Sequence, residues 1–228
     1  VLNPAILAAY DNFCPKYLIK RGFSKEVLKT YEIGYDKMHG RIVLPARDVL
    51  GRLVGLTFRA DDDVTEPKYQ HEHWDKAKHL YGLWQALELL PKTKRLYLVE
   101  GQLDTVRLRE HKQAAGAIMG SSISEEQLEL IVTKAGAGDY EYISMFDNDL
   151  AGIKATRRLI SMARKSYGLD MNLKITVYKA KDPGVITAVQ LFTQTIYISP
   201  EQWKRDNKKV LDDLDKSRQP LTQPYKRR

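Results

Sequence analysis

Two apolar runs that end in carboxylates decide the fold: Leu96-Tyr97-Leu98-Val99 followed by Glu100-Gly101, and Tyr142 to Phe146 followed by Asp147-Asn148-Asp149. Each run is short and apolar, as expected of a buried strand. If the two strands are parallel neighbours in one sheet, their carboxyl ends lie at the same edge, where α/β sheets bind ligands. The sequence therefore predicts that three carboxylates meet at one edge of a sheet.

Strand and helix patterns alternate from residue 93 to about 183, which predicts a doubly wound α/β region. A capping box formed by Ser124 and Gln127 starts one of its helices, and Gly136 and Gly168 end two others. The predicted strands are 96–99, 114–119, 142–146 and 173–178, and the predicted helices are 105–111, 125–135 and 152–167.

The flanking segments differ from this region, so we predict three parts: a mixed α/β subdomain at 1–90, the α/β region at 91–184 and a short helical segment at 185–228. The last part contains a charged helical stretch that begins at Pro200, and a tail at 223–228. The first part is predicted to contain helices at 15–20 and 25–31, an antiparallel hairpin of strands 41–45 and 52–58, and a polar loop at 61–74.

The carboxylates Glu100, Asp147 and Asp149 have two interpretations. Oxygen ligands without His or Cys favour Mg²⁺ or Mn²⁺, ions that serve phosphoryl chemistry. Asp and Glu after strands are also common as turn residues and helix caps, and the two interpretations are about equally good for the Asp147-Asn148-Asp149 motif alone. Asp104 opens the next helical stretch, where a carboxylate suits the positive helix end.

Composition excludes several classes of protein. The single Cys14 excludes a disulfide framework and any cysteine-based zinc finger within these 228 residues. No apolar run approaches the roughly 18 residues of a membrane span, so we expect a cytoplasmic protein without a membrane partner. The formal net charge of +8 and the pI of about 9.3 suit a polyanionic partner. Because residue 1 is Val, we expect a piece of a longer protein.

Two further features are weaker signals. His71 and His73 suggest zinc, but a His-x-His pair in a loop without a third ligand is more often an exposed pair. The segment 119–122 has two interpretations that stay open. Its backbone N–H groups bind a phosphate, or it is an ordinary turn from a strand to a helix.

A series of motifs in a fixed order resembles the RNA-polymerase core of DnaG-like primases with its Toprim subdomain. The order and rough spacing of these motifs match over about 170 residues. The motifs are Tyr17-Leu18 to Arg21-Gly22-Phe23-Ser24, Glu32 to Tyr35, Gly40 to Pro45 with Arg47-Asp48, Val54-Gly55 with Arg59, Pro67-Lys68-Tyr69, Lys78 to Leu83, Val99-Glu100-Gly101 with Asp104, Phe146 to Asp149 with Ala151-Gly152, and Lys181-Asp182-Pro183.

The resemblance implies template-directed synthesis of short RNA primers on single-stranded DNA from ribonucleoside triphosphates. It implies catalytic metal ligands at Glu100, Asp147 and Asp149, with Asp104 and Asp182 as supporting ligands for Mg²⁺ or Mn²⁺. It also implies a replicative helicase and a zinc-binding module as partners in a longer parent protein. A basic ridge for template or nucleotide phosphates would consist of Arg59, Lys68, Tyr69, Lys76 and Lys78.

The sequence also departs from the family. Gly184 stands where the family usually has another acid, and the short stretch between Tyr35 and Gly40 is similar to phage-type primases. Two alternatives belong to other functional classes. A Toprim nuclease or a topoisomerase-related fragment would cut nucleic acid with the same metals, and a non-catalytic module would only bind it.

Overall fold

The structure is a computed structural model that describes residues 1–10, 16–72, 74–136, 139–168, 171–178 and 183–217. Cys14, His73, Asp182 and the tail at 223–228 lie outside these ranges, so the expectations for them stay predictions.

The amino-terminal part is built around an antiparallel sheet with the strand order β1-β2-β3-β4. The predicted hairpin is its centre, and the side chain of Asp48 accepts hydrogen bonds from the backbone N–H groups of Leu50 and Arg52 in the connecting turn. A 3-10 helix at Pro4–Ala9 and two short α-helices precede the sheet. The elements are α1 (Lys16–Lys20), α2 (Lys25–Thr30), β1 (Gly34–Asp36), β2 (Arg41–Arg47), β3 (Leu53–Ala60) and β4 (Tyr69–His71).

A five-stranded sheet follows, and two of its helices, at Glu125–Ala135 and Leu150–Tyr167, begin and end close to the predicted boundaries. The elements are α3 (Leu83–Thr93), β5 (Arg95–Val99), α4 (Gln102–Glu110), β6 (Ala114–Ala117), α5 (Glu125–Ala135), β7 (Glu141–Ser144), α6 (Leu150–Tyr167), β8 (Leu173–Val177), β9 (Ile196–Ile198), α7 (Pro200–Asp206) and α8 (Lys208–Lys216).

The strand order of this second sheet, β6-β5-β7-β8-β9, indicates where its ligand-binding edge lies. Strands β5, β6, β7 and β8 are parallel, and β9 is antiparallel to β8. The chain leaves β5 towards β6 on one side and later returns to β7 on the other side of β5. The strand order therefore reverses between β5 and β7, and a crevice opens at such a switch point, outside the carboxyl ends of the strands.

The two faces of β5 join different hydrophobic clusters. Leu96 and Leu98 pack with residues of α3, α5, α6 and α7. Tyr97 and Val99 pack with α4 and with apolar side chains of the amino-terminal part such as Phe23 and Ile42. One continuous cluster thus lies between the two sheets and holds the amino-terminal part beside the carboxyl edge of β5 and β7.

Several elements differ from those predicted. The loop predicted at 61–74 contains β4, which extends the hairpin to a larger sheet. Helix α3 and strands β1 and β9 were not predicted, and the helical stretch predicted from Pro200 is divided at Asn207 into α7 and α8. Helix α4 begins at Gln102, three residues before its predicted start.

Across the described ranges, no helix is both long and apolar enough to cross a bilayer.

Candidate functional site

Glu100 and Asp147 meet at the switch point because β5 and β7 are parallel neighbours. Glu100 directly follows β5, and Asp147 follows β7 after two further buried residues. The backbone N–H of Asp147 donates a hydrogen bond of 3.1 Å to Oε1 of Glu100. The predicted meeting of these carboxylates at one sheet edge is therefore present.

Negative charge is concentrated at this edge. Burial, together with the nearby charges of Asp147 and Asp149, raises the pKa of Glu100 to about 7, although the hydrogen bond from the Asp147 backbone acts in the opposite direction. Low dielectric and like charges both disfavour the ionised form. A cation placed between these carboxylates would reverse that effect.

Asp149 caps helix α6. Its Oδ1 accepts a hydrogen bond of 2.9 Å from the backbone N–H of Gly152. A Cβ at residue 152 would lie 2.0 Å from the backbone oxygen of Asp147, so only glycine permits this close approach. The Asp-x-Asp-x-x-Gly spacing thus brings the positive end of α6 against the strand end that carries Asp147.

Asp104 makes a similar contact at the start of α4. Its Oδ2 accepts a hydrogen bond of 2.9 Å from the backbone N–H of Gly101. This bond fixes the turn between Glu100 and α4. Asp104 thereby contributes to the position of Glu100 as well as to the local negative charge.

A cleft of about 340 Å³ gathers most of the predicted site residues. It lies between the two sheets, with carboxylates on one wall and cationic and aromatic side chains on the other. The predicted residues that line it are Glu100, Asp104, Asp147, Arg59, Lys68 and Tyr69. Asp149 lies beside this cleft, at the start of α6, and does not line it.

Arg59 is fully buried and is held by several partners. Its Nη2 donates to the hydroxyl of Tyr17 at 2.6 Å and to Asp63 at 3.3 Å, and its Nη1 donates to the backbone oxygen of Ala60 at 2.5 Å. The guanidinium lies 4.5 Å from the ring centre of Tyr17 and 5.8 Å from that of Tyr69. Arg59 therefore holds a fixed positive charge in this wall of the cleft, and most of its guanidinium donors are used in hydrogen bonds within the protein.

Lys68 is the more accessible cation, because its side chain is exposed at the rim of the cleft. Lys76 and Lys78 do not line this cleft. Lys78 forms an ion pair of 3.0 Å with Asp75. The segment with both lysines is fixed by Gln127, whose amide nitrogen donates to the backbone oxygens of Lys76 and His79.

Six residues that line the cleft were missing from the sequence-based site assignment, and two of them, Arg21 and Gln102, have long polar side chains. Arg21 lines the cleft, and its Nη1 donates to the Tyr17 hydroxyl at 3.0 Å. Gln102 also lines the cleft at the first turn of α4, and it is only 3% exposed. Arg21 occurs in one of the quoted motifs and Gln102 lies two residues after Glu100, so proximity in sequence was the available signal.

The donor chemistry fits a hard divalent cation, because the gathered ligands are carboxylate oxygens. Within the described ranges, no group of three or more His, Cys, Asp and Glu side chains is arranged to hold a metal ion. Asp149 is engaged in capping α6, and Asp182 lies outside those ranges. Glu100 and Asp147 are thus the pair from which an ion site would be built, completed by Asp149, Asp104 or Asp182.

His71 is exposed and shares a hydrogen bond of 3.0 Å between its Nδ1 and the hydroxyl of Thr57. Partial burial of its ring, and then the charge of Lys76, lower the pKa of His71. Neither feature suggests a zinc ligand.

Comparison with known proteins identifies related chains. Residues 97–184 match the family described as Toprim-like. A DNA primase of Deinococcus radiodurans is 34% identical over 155 residues, which cover 66% of this chain and 26% of that protein. The chain thus matches about a quarter of the length of this relative.

Solved structures share the fold. The DnaG primase catalytic domain bound to ssDNA superposes with a TM-score of 0.70 at 21% identity, covering 96% of this chain and 83% of that one. The zinc-binding and RNA polymerase domains of the Aquifex aeolicus primase superpose with a TM-score of 0.66 at 19% identity, covering 87% of this chain and 59% of that one.

Proposed function

We propose that this chain, which belongs to the DnaG-like primases and contains a Toprim subdomain, is a primase catalytic core. It would synthesise short RNA primers on single-stranded DNA by transfer of nucleotidyl groups from ribonucleoside triphosphates. The observation that carries the proposal is the cleft at the switch point. There, Glu100 and Asp147, which follow adjacent parallel strands, face Arg59 and Lys68 of the amino-terminal part.

This arrangement of charge suits nucleotidyl transfer. The reaction needs positive charge near the phosphates and a fixed line between the attacking and leaving oxygens, and positioning matters more than covalent catalysis. Lys68 can contact phosphate oxygens from the rim of the cleft. Arg59, held by Tyr17 and Asp63, contributes a fixed positive charge behind it.

Primases with a Toprim subdomain use divalent metal ions. We assign Mg²⁺ or Mn²⁺ to Glu100, Asp147 and Asp149, with Asp104 and Asp182 in support. A bound ion would neutralise charge on the phosphate oxygens and on the leaving pyrophosphate. The carboxylates themselves must be ionised to hold it, so Glu100 must lose the proton that burial favours.

The proposed partners follow from the relatives. One solved structure holds single-stranded DNA, which supports the template assignment, and another includes a zinc-binding domain, which supports such a module in the parent protein. A replicative helicase is proposed as a further partner of that parent.

The proposal is tested by incubating the chain with mixed-sequence single-stranded DNA, ribonucleoside triphosphates and a supplied short primer. We expect extension that releases pyrophosphate and that requires an added divalent ion. Extension without a divalent ion would contradict the metal assignment. Metal-dependent cutting of the DNA, with no synthesis on any template, would instead identify a nuclease.

A further inference from the structure

Helix α6 borders a second and larger groove, with a volume of about 890 Å³, and among the described residues the groove and the acidic cleft share no lining residue. Its floor is the basic face of the helix, which carries Lys154, Arg157, Arg158 and Lys165. These residues follow one another at intervals of three, one and seven positions and therefore share one face. The loop residues Ser121 and Ser122 form one side and Leu214 of α8 contributes to the other.

The charge of this groove is strongly unbalanced. Glu125 is the one acidic side chain among the described residues that line it, against four cations. Arg157 pairs with Asp215 at 2.6 Å, and Arg158 donates from Nε to the backbone oxygen of Ile123. Lys154 and Lys165 are exposed and form no ion pair with any described carboxylate.

A polymeric anion fits this groove better than a single phosphate. Lys154 and Lys165 are separated by eleven residues, which correspond to about 16 Å along the helix axis. Cations spread over that distance match a series of backbone phosphates. Ser121 and Ser122 are exposed on the opposite side, where hydroxyl and backbone N–H groups can donate to phosphate oxygens.

The groove is also close along the chain to the candidate active site. Leu150 and Ala151, at its end, directly follow the proposed metal ligand Asp149. On the other side, one loop connects both features, because Met119 lines the acidic cleft while Ser121 and Ser122 line the groove. Both connections along the chain are short, so we expect a strand bound in the cleft to reach the basic face of α6.

We propose that this groove binds the backbone of the single-stranded DNA template next to the catalytic cleft, and this inference rests on the proposed function. None of the described residues that line the groove is aromatic, so stacking with bases is absent and phosphate contacts dominate. Binding in the groove is consequently independent of base sequence. Ser121 and Ser122 line its second wall, and they belong to the segment 119–122, for which the sequence left a phosphate contact and a simple turn equally open.

The test is a double charge reversal, Lys154→Glu with Lys165→Glu, in the full chain. The matched control is Lys92→Glu with Lys134→Glu, two exposed lysines on α3 and α5 that line neither the cleft nor the groove. Both double variants lower the formal net charge from +8 to +4. Affinity for a labelled, mixed-sequence single-stranded DNA is measured by fluorescence anisotropy at several salt concentrations.

We expect the groove variant to bind about tenfold more weakly at low salt, and its slope of log affinity against log salt to be shallower by about 1.4. The control variant should stay close to the wild type in both quantities. Equal weakening by the control would show that only net charge matters and would overturn the inference. Unchanged binding by the groove variant, or a loss confined to duplex DNA, would also overturn it.

Different results reject the proposed function and the proposed groove. If the wild-type chain does not bind single-stranded DNA at all, the primase proposal and the groove are both rejected. If the wild type binds and extends primers while the groove variant binds equally well, the groove alone is rejected.

Discussion

Glu100 titrates near neutral pH, since burial and its acidic neighbours raise its pKa to about 7 from an ordinary value near 4.5. The folded state therefore binds this proton more tightly than the unfolded state does. The free energy of unfolding should fall as the pH rises from about 4.5 through 7, and the loss is complete above that range.

Replacing Glu100 with Gln removes this loss. In metal-free buffer at pH 8 we expect Glu100→Gln to be more stable than the wild type by on the order of 2 kcal/mol, and at pH 4 the difference should nearly vanish. Urea unfolding at the two pH values measures it. An equal difference at both pH values would mean that the charge on Glu100 is not the cause.

Lys68 and Lys78 were predicted to have the same role, but their surroundings differ. Lys68 lines the cleft, whereas Lys78 pairs with Asp75 away from it. We expect Lys68→Ala to weaken nucleotide binding severalfold and Lys78→Ala to change it little, as measured by equilibrium titration. A larger effect of Lys78→Ala would place the nucleotide outside the cleft.

The proximity of the strand-end carboxylates was predictable from the sequence, because parallel strands bring their ends together. The burial and the partners of each side chain were not predictable. Nothing in the sequence indicates that Arg59 is buried between Tyr17 and Tyr69, since this depends on the packing of separate segments. The spacing of Asp75 and Lys78 permits their ion pair without requiring it.

Helix α4 ties the two parts of the molecule together through the nearly buried Arg107. Its Nε donates to the backbone oxygen of Gly184 at 3.1 Å, its Nη1 to that of Gly22 at 3.3 Å, and its Nη2 to that of Arg21. The guanidinium also lies 4.1 Å from the ring centre of Phe23.

We expect Arg107→Met to lower the free energy of unfolding by about 3 kcal/mol, since buried carbonyl groups lose their donors. Arg164→Met is the control, because the partly exposed pair of Arg164 with Glu201 should be worth at most about 1 kcal/mol. Chemical denaturation measures the unfolding free energy of both variants. An equal loss of unfolding free energy in the two would show that Arg107 does not hold the two parts together.

Elements with a clear period were predictable, and short or interrupted ones were not. Helix α3 begins after Gly82 and contains Pro91, so its helical pattern is broken at both ends. Strands β1 and β9 have only three residues each, too few to show a period. Their structure comes from pairing with longer neighbours, which is a tertiary effect.

For the whole molecule, the alternation of strands and helices predicted the parallel sheet, whereas the position of the amino-terminal sheet against α4 depends on the shared hydrophobic cluster. That packing creates the cleft. The division into parts at about residues 90 and 184 stays a prediction, and both hydrophobic clusters extend across these positions.

The central claim is that carboxylates at the switch point support metal-dependent nucleotidyl transfer, and Asp149→Asn tests it most directly. Asn keeps an oxygen that can cap α6 in place of Asp149 Oδ1, so the fold should keep its stability. Asp149→Ala, which also loses the cap, should be less stable by about 1 kcal/mol.

The decisive measurement is the rate of primer extension by Asp149→Asn at saturating Mg²⁺ or Mn²⁺, with its unfolding free energy determined in parallel. We expect a rate lower by a factor on the order of a hundred or more, with stability close to that of the wild type. An Asp149→Asn chain that is folded and extends primers at the full wild-type rate would contradict it.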